Sequence, residues 1–152
     1  LCLADGIGMI VYSPLAQGVL TNKYAGGAVP AGSRAAGTFA HFMASEKQLT
    51  PENAAAAERF AACVAKHGAW TPAQVALAWV LRRPGVSSVI LGATAPAHVE
   101  ENVKAAEVQL SDEAWREIEA AVAGPNAAPA RGAGKKRVAA RKKAAASRAR
   151  RR

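Results

Sequence analysis

Residues 12–24 read Tyr12-Ser13-Pro14-Leu15-Ala16-Gln17-Gly18-Val19-Leu20-Thr21-Asn22-Lys23-Tyr24, YSPLAQGVLTNKY. The segment grows out of the apolar run Gly8-Met9-Ile10-Val11 and extends it by Tyr12. A short continuous apolar run suits a β-strand covered on both faces, as in a parallel sheet. This one stops on a small hydroxyl, a residue of fixed φ and then a glycine, with a lysine ten residues after the serine. A strand that only fills a core has no need of that combination.

Working outward, Leu1 to Ala4 reads as a last helical turn stopped by Asp5-Gly6. Residues 25–48 are rich in Gly, Ala, Ser and Pro, with apolar content at Phe39, Phe42 and Met43, and read as a long loop. A loop of that length in a compact domain is usually functional or disordered. Thr50-Pro51 then places an N-cap before a proline at the first helical position, and the helix PENAAAAERFAACVAKH runs to Gly68. A second helix opens at Thr71-Pro72, with Gln74 where a capping box wants it. Its body, AQVALAWVL, is apolar nearly all round and should be buried, with Arg82-Arg83 against its negative end and Pro84-Gly85 as its stop.

VSSVILG, residues 86–92, is a second short β-branched run ending in glycine. ATAPAHVEENVKAAE starts a helix near Thr94, and Ser111 caps the last helix, DEAWREIEAAV. Leu110 and Trp115 occupy the two positions of a hydrophobic staple, and Trp115, Ile118 and Val122 share a face. Trp79 and Trp115 read as core. The order is strand, loop, helix, helix, strand, helix, helix, which argues an α/β fold with parallel strands and right-handed crossovers. Two strands cannot close a barrel, which takes eight. Either the domain is open and marginal, or it is part of something larger.

Composition narrows the function. The chain has 152 residues, 51% of them apolar but many of those alanine, so its core is thin. The net charge of +9 is confined to one end: residues 131–152 carry eleven Lys/Arg and no acid. Residues 1–130 set nine basic groups against eleven acidic ones, a net charge of −2. The body is therefore not a basic nucleic-acid surface. Residues 123–130 read as a linker and 131–152 as a disordered Ala/Lys/Arg tail without aromatics for base stacking. Cys2 and Cys63 are far apart and lack metal-site spacing, which fits two buried thiols in a reducing compartment. His41 and His67 show no partner at catalytic or metal spacing, so no metal is expected. No apolar window long enough to span a membrane and no signal-peptide pattern occur, and a cytoplasmic location is expected.

Several stretches together resemble one family. GIGMIVYSPLAQGVLTNKY resembles the seventh strand and following loop of aldo-keto reductases, in particular the branch that includes the β-subunits of voltage-gated potassium channels. TPAQVALAWVLRRPGVSSVILGATAPAHVEENVKA resembles the seventh helix, eighth strand and eighth helix, and LSDEAWREIEAAV the C-terminal helix. The resemblance covers residues 1–122 in order. It implies the C-terminal portion of a (β/α)8 TIM barrel, holding strands 7 and 8 with their helices. It also implies NADPH as cofactor and reduction of aldehydes or ketones to alcohols.

The resemblance gives the opening segment its purpose. The loops after strands 7 and 8 of such barrels build a phosphate-binding corner. Ser13 would offer a hydroxyl and Leu15 a backbone N–H to the pyrophosphate, with Pro14 fixing the backbone between them. Gly18 would let the loop pass close to the cofactor, and Lys23 would close over the phosphates. Arg34 matches a position near the adenosine 2′-phosphate, where a guanidinium fork suits a dianion. At the second corner Gly92 admits a phosphate closely, and Thr94 stands where the family places a small polar group on the 2′-phosphate. His98 holds a position that relatives often give to Gln or Arg. Glu101 and Asn102 match the pair that hydrogen-bonds the adenine, and in a helix His98, Glu101 and Asn102 share one face. Each residue alone has a plainer reading as an ordinary turn or a surface charge; the weight rests on the set in register.

The family's catalytic tetrad of Asp, Tyr, Lys and His belongs to the first half of the barrel, ahead of the segments matched here. Neither Tyr12 nor Tyr24 matches the catalytic tyrosine, so no catalytic residue is assigned. The chain is expected to be the cofactor-holding part of a reductase, a fragment inactive alone. The competing expectation is a non-catalytic protein that contacts nucleic acid or another anionic surface through residues 131–152, with affinity falling steeply as salt rises.

Overall fold

In the structure, a computed structural model, residues 1–38, 40–45 and 48–123 are described. Phe39, the linker from 124 onward and the basic tail lie outside the described residues. Strand β1 (Met9–Tyr12) pairs in parallel with β2 (Val86–Ile90), Tyr12 opposite Ile90, with an irregularity between Met9 and Ile10. Between them lie the helices α1 (Ala40–Ser45), α2 (Pro51–Val64) and α3 (Pro72–Leu81). After β2 come α4 (Pro96–Val103), a 3-10 turn (Lys104–Glu107) and α5 (Asp112–Ala123). The first residues make one turn, the Ala4 and Asp5 N–H groups both donating to the Leu1 carbonyl.

The helix starts follow the expected local chemistry. Thr50 Oγ1 accepts from Asn53 N–H at 3.2 Å and Ser111 Oγ from Ala114 N–H at 3.1 Å. At α3 the reciprocal box is complete: Gln74 N–H donates to Thr71 Oγ1, and Thr71 N–H donates to Gln74 Oε1. Residues 73–78 of α3 are all buried, as its all-round apolar pattern requires. Phe60 and Val64 of α2, Val75 of α3, and Trp115 and Ile118 of α5 form one core cluster, with Leu110 packed beside it. Val122 is 41% exposed and does not continue the α5 core face.

Several expectations are refined or corrected. The sheet is covered on one face only: Ile10, Tyr12 and Ile90 are 66%, 81% and 59% exposed, because two strands with helices on one side leave the opposite face bare. The 25–48 segment is not all loop. It contains α1, whose Met43 is buried with Val19, Tyr24 and Ala57 in a second cluster. The helix expected near Thr94 begins at Pro96 and ends at Val103, the chain tightening into a 3-10 turn before Val108. Trp79 packs against the core cluster but is only half-buried: its Nε1 donates to Glu119 Oε1 at 2.8 Å and the Arg83 guanidinium stacks 3.7 Å from its ring. Arg83 in turn pairs with Glu119 at 3.0 Å, fastening the end of α3 to α5.

His67 also departs from expectation, since it has a partner. Its Nε2 lies 2.9 Å from Glu117 Oε2, and Cys63 stands one helical turn before it. Burial pushes the Cys63 thiol up from its ordinary pKa, and the Glu117 charge adds to the shift.

Candidate functional site

The loop after β1 is held from below. Val19 and Tyr24 are buried, and the Tyr24 hydroxyl reaches Met43 Sδ at 3.9 Å. Leu15 and Leu20 pack against the main core cluster, and Gly26 N–H donates to Glu58 Oε1 of α2 at 2.7 Å. With those anchors inside, the polar residues between them are forced outward. Ser13 and Lys23 are exposed, and Pro14 is half-buried.

Gly18 and Lys23 meet in this loop. Gly18 has φ +95°, and a Cβ there would stand 2.6 Å from Lys23 Cε and 2.9 Å from Nζ. Only a bare α-carbon lets the lysine stem lie back across the loop. Asn22, at φ 64°, makes the reversal, its N–H donating to the Val19 carbonyl. The Lys23 ammonium then sits 5.5 Å from the Tyr24 ring centroid.

The second half of the constellation forms around Gln17. Gln17 Nε2 donates to Ser13 Oγ at 3.3 Å, and Arg34 Nη1 donates to Gln17 Oε1. The same guanidinium crosses to the loop after β2, where Nη2 lies 3.6 Å from the position a Gly92 Cβ would occupy. Ser13, Gln17, Arg34 and Gly92 are thus contiguous, and the loops following the two parallel strands share one corner. The amide of Gln17 is the residue that sequence reasoning missed. Its role depends on left-handed backbone at Ser13, Ala16 and Gln17, with φ of 54°, 48° and 58°, which the residue types do not announce.

The α4 residues are less tightly joined. Thr94 N–H donates to His98 Nδ1 at 3.4 Å, and Thr94 Oγ1 lies at the same distance from that nitrogen, so the imidazole closes the turn before the helix. Ala95, not Thr94, is the N-cap, and no side chain caps the helix. The Glu101 carbonyl accepts from Gln74 Nε2 at 3.0 Å, which ties α4 to the capping box of α3. Glu101 borders a groove of about 370 Å³ that Trp70, Thr71 and Lys104 also line. Asn102 is half-buried next to it in sequence. His98, Glu101 and Asn102 share α4.

The donor set of the corner fits a phosphate-bearing ligand. Ser13, Lys23 and Arg34 offer a hydroxyl, an ammonium and a guanidinium, and Gly92 leaves the backbone bare beneath the guanidinium.

Comparison with known proteins places the chain in a family. The profile of the aldo/keto reductase family matches residues 1–123. A Schizosaccharomyces pombe protein named for a voltage-gated potassium channel subunit beta is 42% identical over 118 residues, covering 75% of this chain and 33% of that protein. The Escherichia coli protein Tas is 38% identical over 116 residues, 76% of this chain and 32% of its own. The NADH-specific methylglyoxal reductase of Escherichia coli is 38% identical over 112 residues, 74% of this chain and 32% of its own. The chain spans about a third of the length of these curated relatives. With the family profile covering every described element from the first turn to α5, the chain belongs to the aldo/keto reductase family.

Proposed function

We propose that residues 1–123 are the cofactor-holding corner of an NADPH-dependent reductase that converts aldehydes or ketones to alcohols. In this reading β1 and β2 are the last two strands of the barrel, and the partner is a small-molecule carbonyl compound met in the cytoplasm. The observation that carries it is the bridge from Ser13 through Gln17 and Arg34 to Gly92, which gathers the loops after both parallel strands at one cationic corner. NADPH, when bound, supplies the hydride for carbonyl reduction.

The chain's own groups bind and orient. Ser13 and the Leu15 N–H take the pyrophosphate, and Lys23 covers it as a point charge held in place by Gly18. Arg34 takes the 2′-phosphate with Thr94 beside it, and His98 keeps the Thr94 turn closed. Glu101 and Asn102 present α4 to the adenine, the backbone of Glu101 being fixed by Gln74. One relative bears a name specifying NADH, so the choice between the two nucleotides rests on the 2′-phosphate group of residues.

Titration of the 152-residue chain with NADPH and with NADH, followed by nucleotide fluorescence, tests the reading. Tighter binding of NADPH is expected, with no oxidation of it by aldehydes in the chain alone. Equal affinity for the two nucleotides removes the assignment of the 2′-phosphate group.

A further inference from the structure

We propose that Cys63, His67 and Glu117 form a binding site for a zinc-class divalent cation that joins α2 to α5. The three residues share none of the cofactor corner. Cys63 is buried in the last turn of α2, and His67 follows in the turn after it, its N–H donating to the Val64 carbonyl at 2.9 Å. Glu117 projects from α5 and is half exposed at its side chain. The Sγ, the imidazole nitrogen and a carboxylate oxygen all lie within 4.8 Å of one another.

The pairing within the trio is incomplete. His67 Nε2 approaches Glu117 Oε2 to 2.9 Å, yet this nitrogen is buried and makes no aligned hydrogen bond among the described residues. A buried polar atom left so is costly unless another partner satisfies it. Two side chains that meet at 2.9 Å out of hydrogen-bond alignment, with a thiol beside them, are placed to share a cation. Metal bonds of about 2.0–2.3 Å place tetrahedral ligand atoms roughly 3.3–3.8 Å apart. The observed spacing reaches that geometry by a slight opening of the His67–Glu117 approach and a closing of the thiol.

The ligand chemistry selects the ion. A thiolate, an imidazole and a carboxylate suit Zn²⁺ and its spectroscopic surrogate Co²⁺, and disfavour Mg²⁺ or Ca²⁺, which want oxygen ligands throughout. Three protein ligands leave a fourth position for water. On binding, the Cys63 thiol proton is released to solvent and Sγ bonds the metal; no electron changes hands. The half-exposed Glu117 side gives the ion its way in, while Phe60 and Ile118 of the same core cluster keep the thiol side dry. The cation then pins two helices that are also linked by the Arg59 Nε hydrogen bond to the Ala121 carbonyl at 3.0 Å.

The test titrates the full chain with Co²⁺ and follows the thiolate-to-metal charge-transfer band, then displaces it with Zn²⁺. Stoichiometric binding is expected, with the band abolished in Cys63→Ser and kept in Cys2→Ser. His67→Asn and Glu117→Gln should each weaken binding by roughly tenfold or more. Cys63 is buried and its replacement risks the fold, so the Glu117→Gln and His67→Asn proteins, checked by circular dichroism, carry the result independently. No uptake of either ion, a band that follows Cys2, or affinity unaltered in both Glu117→Gln and His67→Asn overturns the proposal.

Discussion

Lys23 lies folded over the α-carbon of Gly18, so closely that a methyl group there would stand 2.6 Å from its Cε. The glycine and the lysine are therefore one device, and substitution at either has the same consequence. Gly18→Ala adds the unfavourable φ of +95° to the displacement of the lysine stem. In the reductase reading, Gly18→Ala and Lys23→Met each weaken NADPH binding by about tenfold, and the double substitution is much less than additive. Fluorescence titration of the four proteins measures it. Full additivity would separate the two residues.

Arg34 should set nucleotide preference. A hydrogen bond to a charged group contributes about 1.5–3 kcal/mol, so Arg34→Ala narrows NADPH preference over NADH by roughly tenfold or more. Gln17→Ala should produce a smaller loss in the same direction, because it removes the acceptor that holds the guanidinium without removing the charge. Binding constants for both nucleotides decide it. A mutant that keeps NADPH affinity and loses only NADH affinity contradicts the assignment.

Capping chemistry supplies a stability prediction independent of function. Thr71→Ala breaks the reciprocal box at α3 and should cost about 1 kcal/mol, with Thr71→Ser largely silent. Thr50→Ala should cost a similar amount at α2. Its own backbone N–H and the Thr50 hydroxyl also hold the Glu52 carboxyl below its usual value. A depressed folded pKa stabilises above the unfolded value, so that contribution is present at neutral pH and fades as the solution is acidified through the carboxylate range. Urea melts at neutral and acid pH read both effects.

The bare face of the two-stranded sheet predicts association. Ile10, Tyr12 and Ile90 are exposed together, on strands whose outer edges are unpaired among the described residues. The chain should self-associate with rising concentration, and Tyr12→Thr with Ile90→Thr should raise the soluble fraction. Sedimentation across a concentration series tests this; a monomer at all concentrations would show that the face is covered by other means.

Much of this molecule was legible because its local signals are strong. Thr-Pro starts, the Gln74 box and the Ser111 cap fix helices by short-range hydrogen bonds, so residue type alone reveals them. The parallel pair was legible from two β-branched runs separated by helices. What sequence could not give depends on long-range placement. Gln17 became part of the corner only through left-handed backbone on either side of it, and Glu117 met His67 only when α5 packed on α2. Met43 hid a helix within a segment whose composition reads as loop, because burial of one side chain outweighed the weak propensity around it.

The left-handed residues of the β1 loop set durability against discrimination. Backbone of that hand costs a non-glycine residue roughly 1–2 kcal/mol, and Ser13, Ala16 and Gln17 all adopt it. A screen for heat resistance would reward glycine at both Ala16 and Gln17. At Ala16 the gain carries no side-chain loss beyond a methyl group, whereas at Gln17 it severs the amide that tethers Arg34. In the reductase reading, variants chosen for endurance alone would thus drift toward indifference between the two nucleotides, and Ala16 is the position where an engineer can harden the loop without that drift.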